Sequence, residues 1–154
     1  MNEYLLFRPA TRADVPEIVR MLADDHLGRQ RERYELPLPE TYFAAFDQIN
    51  ASPSFELIVA ELDGRVVGTL QLIFIPSISY QGGLRAQVES VRVDEPLRNQ
   101  GIGKSMMEWA IERARQRGAH LLQLTTHNTR QDAHRFYERL GFKGSSLGMK
   151  ISLK

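Results

Sequence analysis

The chain has 154 residues, 42% of them hydrophobic and 25% charged, the make-up of an ordinary globular protein with room for a sizeable core. A formal net charge of +1 excludes a global field that would recruit nucleic acid or an acidic membrane surface. The absence of cysteine excludes disulfides, thiolate zinc sites and a cysteine nucleophile.

Taken in chain order, "YLLFRPA" reads as a short strand ended by Pro9. In "TRADVPEIVRMLADD", Asp14 is placed to cap a helix, with Pro16 in its first turn and Glu17 closing a capping box. Ile18, Met21 and Leu22 form its apolar stripe. "HLGRQRERYELPLPE" breaks the pattern with Gly28, Pro37 and Pro39 and carries Arg29, Arg31 and Arg33. Helical spacing returns in "ETYFAAFDQINAS" through Tyr42, Phe43, Phe46 and Ile49.

From Phe55 the pattern is that of strands. "FELIVAELDGRVVGTLQLIFI" is two β-rich runs around Asp63-Gly64, a strong hairpin signal. "SISYQGGLR" is a polar loop after Pro76. "AQVESVRVDE" alternates, with Val88, Ser90 and Arg92 on one side and Glu89, Val91 and Val93 on the other. "GIGKSMMEWAIERARQRG" is a helix with Ile102, Met106, Ala110 and Ala114 on one stripe, stopped by Gly118. "AHLLQLTTHN" is a further strand, "RQDAHRFYERLGF" a short helix and "GMKISLK" a last strand. With no repeat, linker or low-complexity stretch, residues 1–154 are expected to form one domain. The fold class is mixed α/β, a mostly antiparallel central sheet with flanking helices.

No apolar run is long enough to span a bilayer, and "MNEYLLFRPA" lacks the features of a signal peptide, so a cytoplasmic location is expected. Four histidines occur without a His-x-x-x-His or His-Glu-x-x-His pair, and no metal site is expected.

"RNQGIGKS", residues 98–105, resembles two phosphate-binding loops and completes neither. A P-loop ending in Gly103-Lys104-Ser105 needs a glycine where Arg98 stands; a dinucleotide fingerprint opening at Gly101 needs one where Met106 stands. Strand, glycine-rich loop and helix still follow in the order that directs helix N–H groups at an anion, with Arg98 and Lys104 adding charge and Ser105 a hydroxyl. A capped helix start with a tight turn is the plain alternative.

Arg98-x-x-Gly101-x-Gly103 between a strand and an amphipathic helix resembles the pyrophosphate loop of the GNAT superfamily of N-acetyltransferases. "FRPATRADVPEIVRML" is similar to the family's first strand and helix, and "LDGRVVGTLQL" to its second and third strands. "HNTRQDAHRFYERLGF" is similar to its final helix, with Asn128, Ala133, Phe136-Tyr137 and Leu140-Gly141-Phe142 in register. The resemblance implies acetyl-CoA as cosubstrate and direct transfer of an acetyl group to a primary amine. It implies that residues 98–105 (Arg98, Asn99, Gln100, Gly101, Ile102, Gly103, Lys104, Ser105) hold the cofactor phosphates. It also implies that the backbone at Val91 and Val93 pairs the pantetheine arm and that Asn128 touches the cofactor.

Amine acetylation needs a neutral amine, a stabilised oxyanion and a protonated leaving thiolate. Glu89, mid-strand ahead of the loop, is the candidate base, directly or through water. An apparent shared face with Val91 and Val93 argues against simple solvation, and the alternative is a solvent-facing glutamate. The resemblance makes Tyr137 the general acid. A phenol of ordinary pKa ~10 can protonate a thiolate of ~8.5 at a cost of about 2 kcal/mol; packing is the alternative role.

The acceptor pocket is expected among the irregular segments, where Arg29, Arg31, Arg33 and Arg85 could meet an anionic group or simply be solvated. "DAHRFY" (residues 132–137) is similar to aminoalkylphosphonate N-acetyltransferases, which implies a small amine bearing an anionic group. Protein N-terminal or lysine acetylation and a non-catalytic CoA-binding regulatory role are the alternatives. A homodimer is consistent with the family, with Tyr80, Leu84, Leu147 and Met149 available for an interface or for the core.

Overall fold

The computed structural model describes residues 5–127 and 131–154. Strand β1 (Leu5–Pro9) leads through a 3-10 turn (Arg12–Asp14) into α1 (Val15–Leu22), α2 (His26–Arg31) and α3 (Glu40–Asn50). The strands β2 (Phe55–Leu62) and β3 (Arg65–Pro76) form the expected hairpin. Asp63 (φ 52°) and Gly64 (φ 79°) both take positive φ, the backbone a two-residue turn between twisted strands requires. A single turn, α4 (Ser79–Gly82), precedes β4 (Leu84–Val93); after it come α5 (Ile102–Gln116), β5 (Leu121–Gln123) and α6 (Gln131–Arg139). The sheet runs β1-β2-β3-β4-β5, antiparallel except for the parallel β4–β5 pair. This is the mixed α/β class expected.

Two apolar layers flank the sheet. The stripe of α5 (Ile102, Met106, Met107, Ala110 and Ala114) is buried against Ile58, Leu70, Leu72, Ala86 and Val88. Burial of such side chains contributes ~1.5–3 kcal/mol each. On the other face α1 and α3 bury Val15, Ile18, Val19 and Phe46 against Val59. Gly68 allows α5 to approach closely, since a Cβ there would lie 2.6 Å from Met106 Sδ and 3.2 Å from the Arg92 carbonyl oxygen.

Four local expectations are corrected. Asp14 does not cap α1 with Glu17. It accepts from the Thr11 N–H at 2.7 Å and from Arg8 Nη1 at 2.7 Å, closing the 3-10 turn in front of the helix. The segment expected to be irregular begins with α2, where Asp25 accepts from the Gly28 N–H at 2.6 Å. The strand expected over "AHLLQLTTHN" is only three residues long. Residues 148–154 form no strand: their apolar alternation is real, but among the described residues no neighbouring strand pairs with them.

Candidate active site

Strand β4 changes character midway. Up to Glu89 its pairing with β3 is regular (Gln71 opposite Glu89), and it resumes with Thr69 opposite Arg92. Two residues of β4, Ser90 and Val91, therefore stand against Leu70 alone, and Ser90 takes φ 55°, a left-handed conformation uncommon outside glycine. The bulge inverts the alternation beyond it. Val91 and Val93 pack with Val88 and Ala86 on the α5 side, while Glu89 stays on the opposite face, across from Gln71. The expectation that Glu89 shares a face with Val91 and Val93 is thus overturned. It rested on an unbroken period of two, and the extra residue shifts the parity. Glu89 is exposed and accepts from Gln87 Nε2 at 2.6 Å; Gln87 in turn accepts from Gln123 Nε2 at 2.8 Å.

β5 pairs with β4 only from Arg85 to Gln87. Past that point the pairing ends, and the stretch of β4 carrying the bulge is not paired with β5. Asp94 fixes the end of β4: its N–H donates to the Val67 carbonyl at 2.8 Å, and its buried carboxylate accepts from Arg20 Nη1 at 3.1 Å. In the loop, Asn99 (φ 64°) and Gly101 (φ 85°) are left-handed, and Gly101 is the N-cap of α5. The N–H groups of the first helical turn, from Ile102 to Lys104, have no acceptor within the helix.

Arg98, Asn99, Gln100, Gly101 and Lys104 are exposed, Gly103 and Ser105 half-buried, and Ile102 belongs to the core, so only its backbone can serve a ligand. Arg98 is already engaged. Its Nε donates to the Val93 carbonyl at 3.2 Å and its Nη2 lies 3.5 Å from Asp24 Oδ2. That link ties the end of α1 to the loop, and no periodicity in the sequence announced it.

α6 closes the other side. A Cβ on Gly103 would meet Phe136 Cζ at 3.6 Å and Val93 Cγ2 at 3.7 Å, so Phe136 packs on the start of α5. Tyr137 is half-buried, edge-on to Phe136 (ring centroids 5.1 Å apart) and to Phe142 (5.8 Å). His134 Nε2 donates to the His127 carbonyl at 3.2 Å, holding α6 to the segment that follows β5. Asn128 lies outside the described residues.

The α1–α3 side of the bulge carries a cavity of about 140 Å³, lined by Ile18, Leu22, Tyr42, Leu57, Gln71 and Ser90 among others. Of the four arginines considered for an acceptor, Arg29 donates to the Asp24 carbonyl, Arg31 pairs with Glu32 and Arg33 with Glu35. Arg85 differs. It sits on the Gln87–Glu89 face of β4, and its buried Nε has no hydrogen-bond partner.

The acetyltransferase (GNAT) family model matches residues 17–142. The chain is 38% identical over 93 residues to the aminoalkylphosphonate N-acetyltransferase of Salmonella typhimurium, and the match spans 60% of each protein's length. A crystal structure from Bacillus halodurans C-125, described as a transcriptional regulator, is 52% identical with a TM-score of 0.94, covering 97% of this chain and 99% of that one. A putative acetyltransferase from Agrobacterium tumefaciens is 26% identical with a TM-score of 0.84, covering 96% of this chain and 99% of that one.

Proposed function

The chain belongs to the GNAT family of acetyltransferases, and from that premise we propose that residues 1–154 act as one acetyl-CoA-dependent N-acetyltransferase domain whose acceptor is a small primary amine bearing an anionic group. The observation that carries the reading is the parting of β4 from β5 after Gln87 and Gln123, just where Ser90 turns Val91 and Val93 toward α5. A strand edge that β5 does not occupy offers N–H and C=O groups to an extended amide-bearing arm. The helix start beyond it offers N–H groups and a positive dipole end to phosphates. Gly101 fits that role as the left-handed N-cap of α5 (φ 85°), a turn that glycine makes without a Cβ in the way.

Acetyl-CoA supplies an activated thioester. The backbone at Val91 and Val93 receives the pantetheine arm, and residues 98–105 the phosphates, with Lys104 as the exposed cation. Tyr137 donates its phenolic proton to the leaving sulfur. Glu89 takes the amine proton through a water, because its side chain stands on the far face of β4 from Val91 and Val93. No covalent intermediate on the protein is needed. The reading implies a cytoplasmic enzyme, where acetyl-CoA is available.

Arg85 supports the anionic acceptor. A half-buried guanidinium without a partner at its Nε, four residues from Glu89 on the same face, stands roughly 13 Å from it along the strand. A cation and a carboxylate at this spacing, with Gln87 between them on the same face, suit a short molecule with an amine at one end and an oxyanion at the other. The Salmonella relative is named for acceptors of that kind, aminoalkylphosphonates. The Bacillus relative's description as a regulator brings no DNA contact to this chain, whose net charge is +1.

A panel of aminoalkylphosphonates, amino acids, polyamines, aminoglycosides and short peptides, each mixed with acetyl-CoA and followed by thiol release, tests the reading. Turnover confined to anionic small amines supports it. Turnover with peptides alone moves the acceptor to protein amines. Acetyl-CoA binding without turnover on any amine leaves a CoA-binding domain.

A further inference from the structure

β1 is shorter than the strand it pairs with. Its last register pair is Pro9 with Ile58, and the Ala10 N–H still donates to the Leu57 carbonyl at 2.8 Å. Among the described residues, Phe55 and Glu56 extend past β1 with no strand beside them on that edge. The C-terminal parts of α3 and α5 stand at this corner, and a cavity of about 720 Å³ opens there. That volume lies within the usual range of small-molecule sites. Its walls include Phe7, Phe46, Ile49 and Trp109, together with Arg113 and Arg117. The acetyl-transfer site described above uses none of them.

Apolar and cationic chemistry meet in this cavity. The Phe7 and Trp109 rings stack with centroids 5.5 Å apart and planes 23° apart. Arg113, in the last turn of α5, and Arg117, its C-cap, are both half-buried. Like charges four residues apart on a helix repel. One carboxylate answers both: Glu56 accepts from Arg113 Nε at 2.9 Å and Nη2 at 2.6 Å, and from Arg117 Nη1 at 2.6 Å. Arg117 also donates from Nη2 to the Pro53 carbonyl at 3.2 Å and lies 4.0 Å from the centroid of the Phe74 ring. Two cations held in place against one anion leave a positive charge in excess beside an apolar wall. The third arginine of the lining, Arg8, is paired with Asp14 and Glu61 and adds nothing to that excess.

We propose that this cavity is a second ligand site, taking a small aromatic carboxylate. The ligand's carboxylate shares Arg113 and Arg117 with Glu56, and its ring lies against Phe7 and Trp109. The excess charge selects an anion, and the rings select a flat apolar body. A purely polar anion gains nothing from the rings, and a neutral aromatic leaves the charge unanswered. The site stands apart from the cofactor loop, since residues 101 and 113 are roughly 18 Å apart along the axis of α5.

Trp109 is the one tryptophan of the chain, so its fluorescence reports this cavity directly. Titration of the full chain with phenylacetate is expected to give a saturable change with a dissociation constant of roughly 1 mM or lower. Phenylacetamide, of the same shape without the charge, is expected to bind about tenfold more weakly. Glu56→Gln removes the competing anion and is expected to tighten phenylacetate binding, whereas Arg113→Gln is expected to weaken it about tenfold. Acetyl-CoA is expected not to displace phenylacetate. No saturable change with phenylacetate overturns the inference. Equal affinities for acid and amide, unchanged or weaker binding in Glu56→Gln, or displacement by acetyl-CoA overturn it too. So does an Arg113→Gln variant that binds phenylacetate as the wild type does. If that variant fails to fold, the acid–amide comparison and Glu56→Gln decide. None of these readings depends on acetyl transfer, so a failure here leaves the catalytic reading standing.

Discussion

Phe136 rests on Gly103: the space a Cβ would fill at that glycine ends 3.6 Å from Phe136 Cζ. Through this contact α6, which carries Tyr137, is held against the first turn of α5. Phe136→Ala is expected to destabilise the fold by about 1.5–3 kcal/mol, since the ring is half-buried, and to weaken acetyl-CoA binding by loosening that turn. Gly103→Ala adds only an ordinary van der Waals contact and is expected to keep the fold. Thermal melting of both variants checks the pair.

Gly101 takes φ 85° as the N-cap of α5. An L-residue there pays roughly 1–2 kcal/mol of backbone strain. Gly101→Ala is expected to lower stability by about 1 kcal/mol and to raise the dissociation constant for acetyl-CoA by about tenfold or more, because the loop backbone must shift. Calorimetric titration with the cofactor reads the second effect.

The bulge at Ser90 makes a sharper prediction. With φ 55°, Ser90→Gly is expected to be neutral or mildly stabilising, whereas Ser90→Val is expected to cost about 1–3 kcal/mol. Regular pairing that restored the period of two would reverse this order, since valine favours an ordinary strand. Chemical denaturation of the two variants separates the cases.

Two ion-pair centres predict a loss of stability in acid. The Arg8 guanidinium beside Asp14 holds its carboxyl below the ordinary aspartate range. Burial pushes the Glu56 carboxyl up, but hydrogen bonds from Arg113 and Arg117 outweigh it and leave the pKa lowered. A lowered folded-state pKa means stability present above the unfolded value of ~4 and lost as pH falls through the folded value. Glu56→Gln is expected to cost about 1–2 kcal/mol at neutral pH and almost nothing in strong acid, where wild-type Glu56 is itself protonated. Melting curves across pH 2–7 give the comparison.

Arg85 predicts selectivity. Arg85→Gln is expected to raise KM for an anionic amine about tenfold or more with little change in kcat, and to leave a neutral amine unaffected. An equal loss on both amines would assign Arg85 to the fold.

Much of this architecture was legible in the sequence. Asp63-Gly64 named the hairpin because only a pair tolerant of positive φ closes it, and the stripe from Ile102 to Ala114 named α5 because four residues make nearly one turn. Gly118 (φ 83°) marked the helix end for the same reason as Asp63-Gly64 marked the turn. The order of strand, glycines and helix placed the loop at residues 98–105. What the sequence hid depends on pairing between strands. Nothing in "QVESVRV" signals a left-handed serine, since serine fits a regular strand as well; the bulge arises where β3 offers one residue against two. The face of Glu89 was misread for that reason alone. The ion pair of Arg98 with Asp24 joins residues 74 positions apart, beyond the reach of any local pattern. "GMKISLK" was readable as a strand, but a strand is completed by its neighbour, which the sequence does not name.

The most direct test of acetyl transfer at this site is thiol release from acetyl-CoA by the wild-type chain and Tyr137→Phe, with an aminoalkylphosphonate as acceptor. A chain without cysteine contributes no thiol of its own. The expected result is acceptor-dependent release by the wild type and a kcat lower by about 10²–10⁴ in Tyr137→Phe, with KM for acetyl-CoA little changed. Undiminished turnover in Tyr137→Phe would remove the general acid from the account, and no release with any amine would contradict acetyl transfer itself.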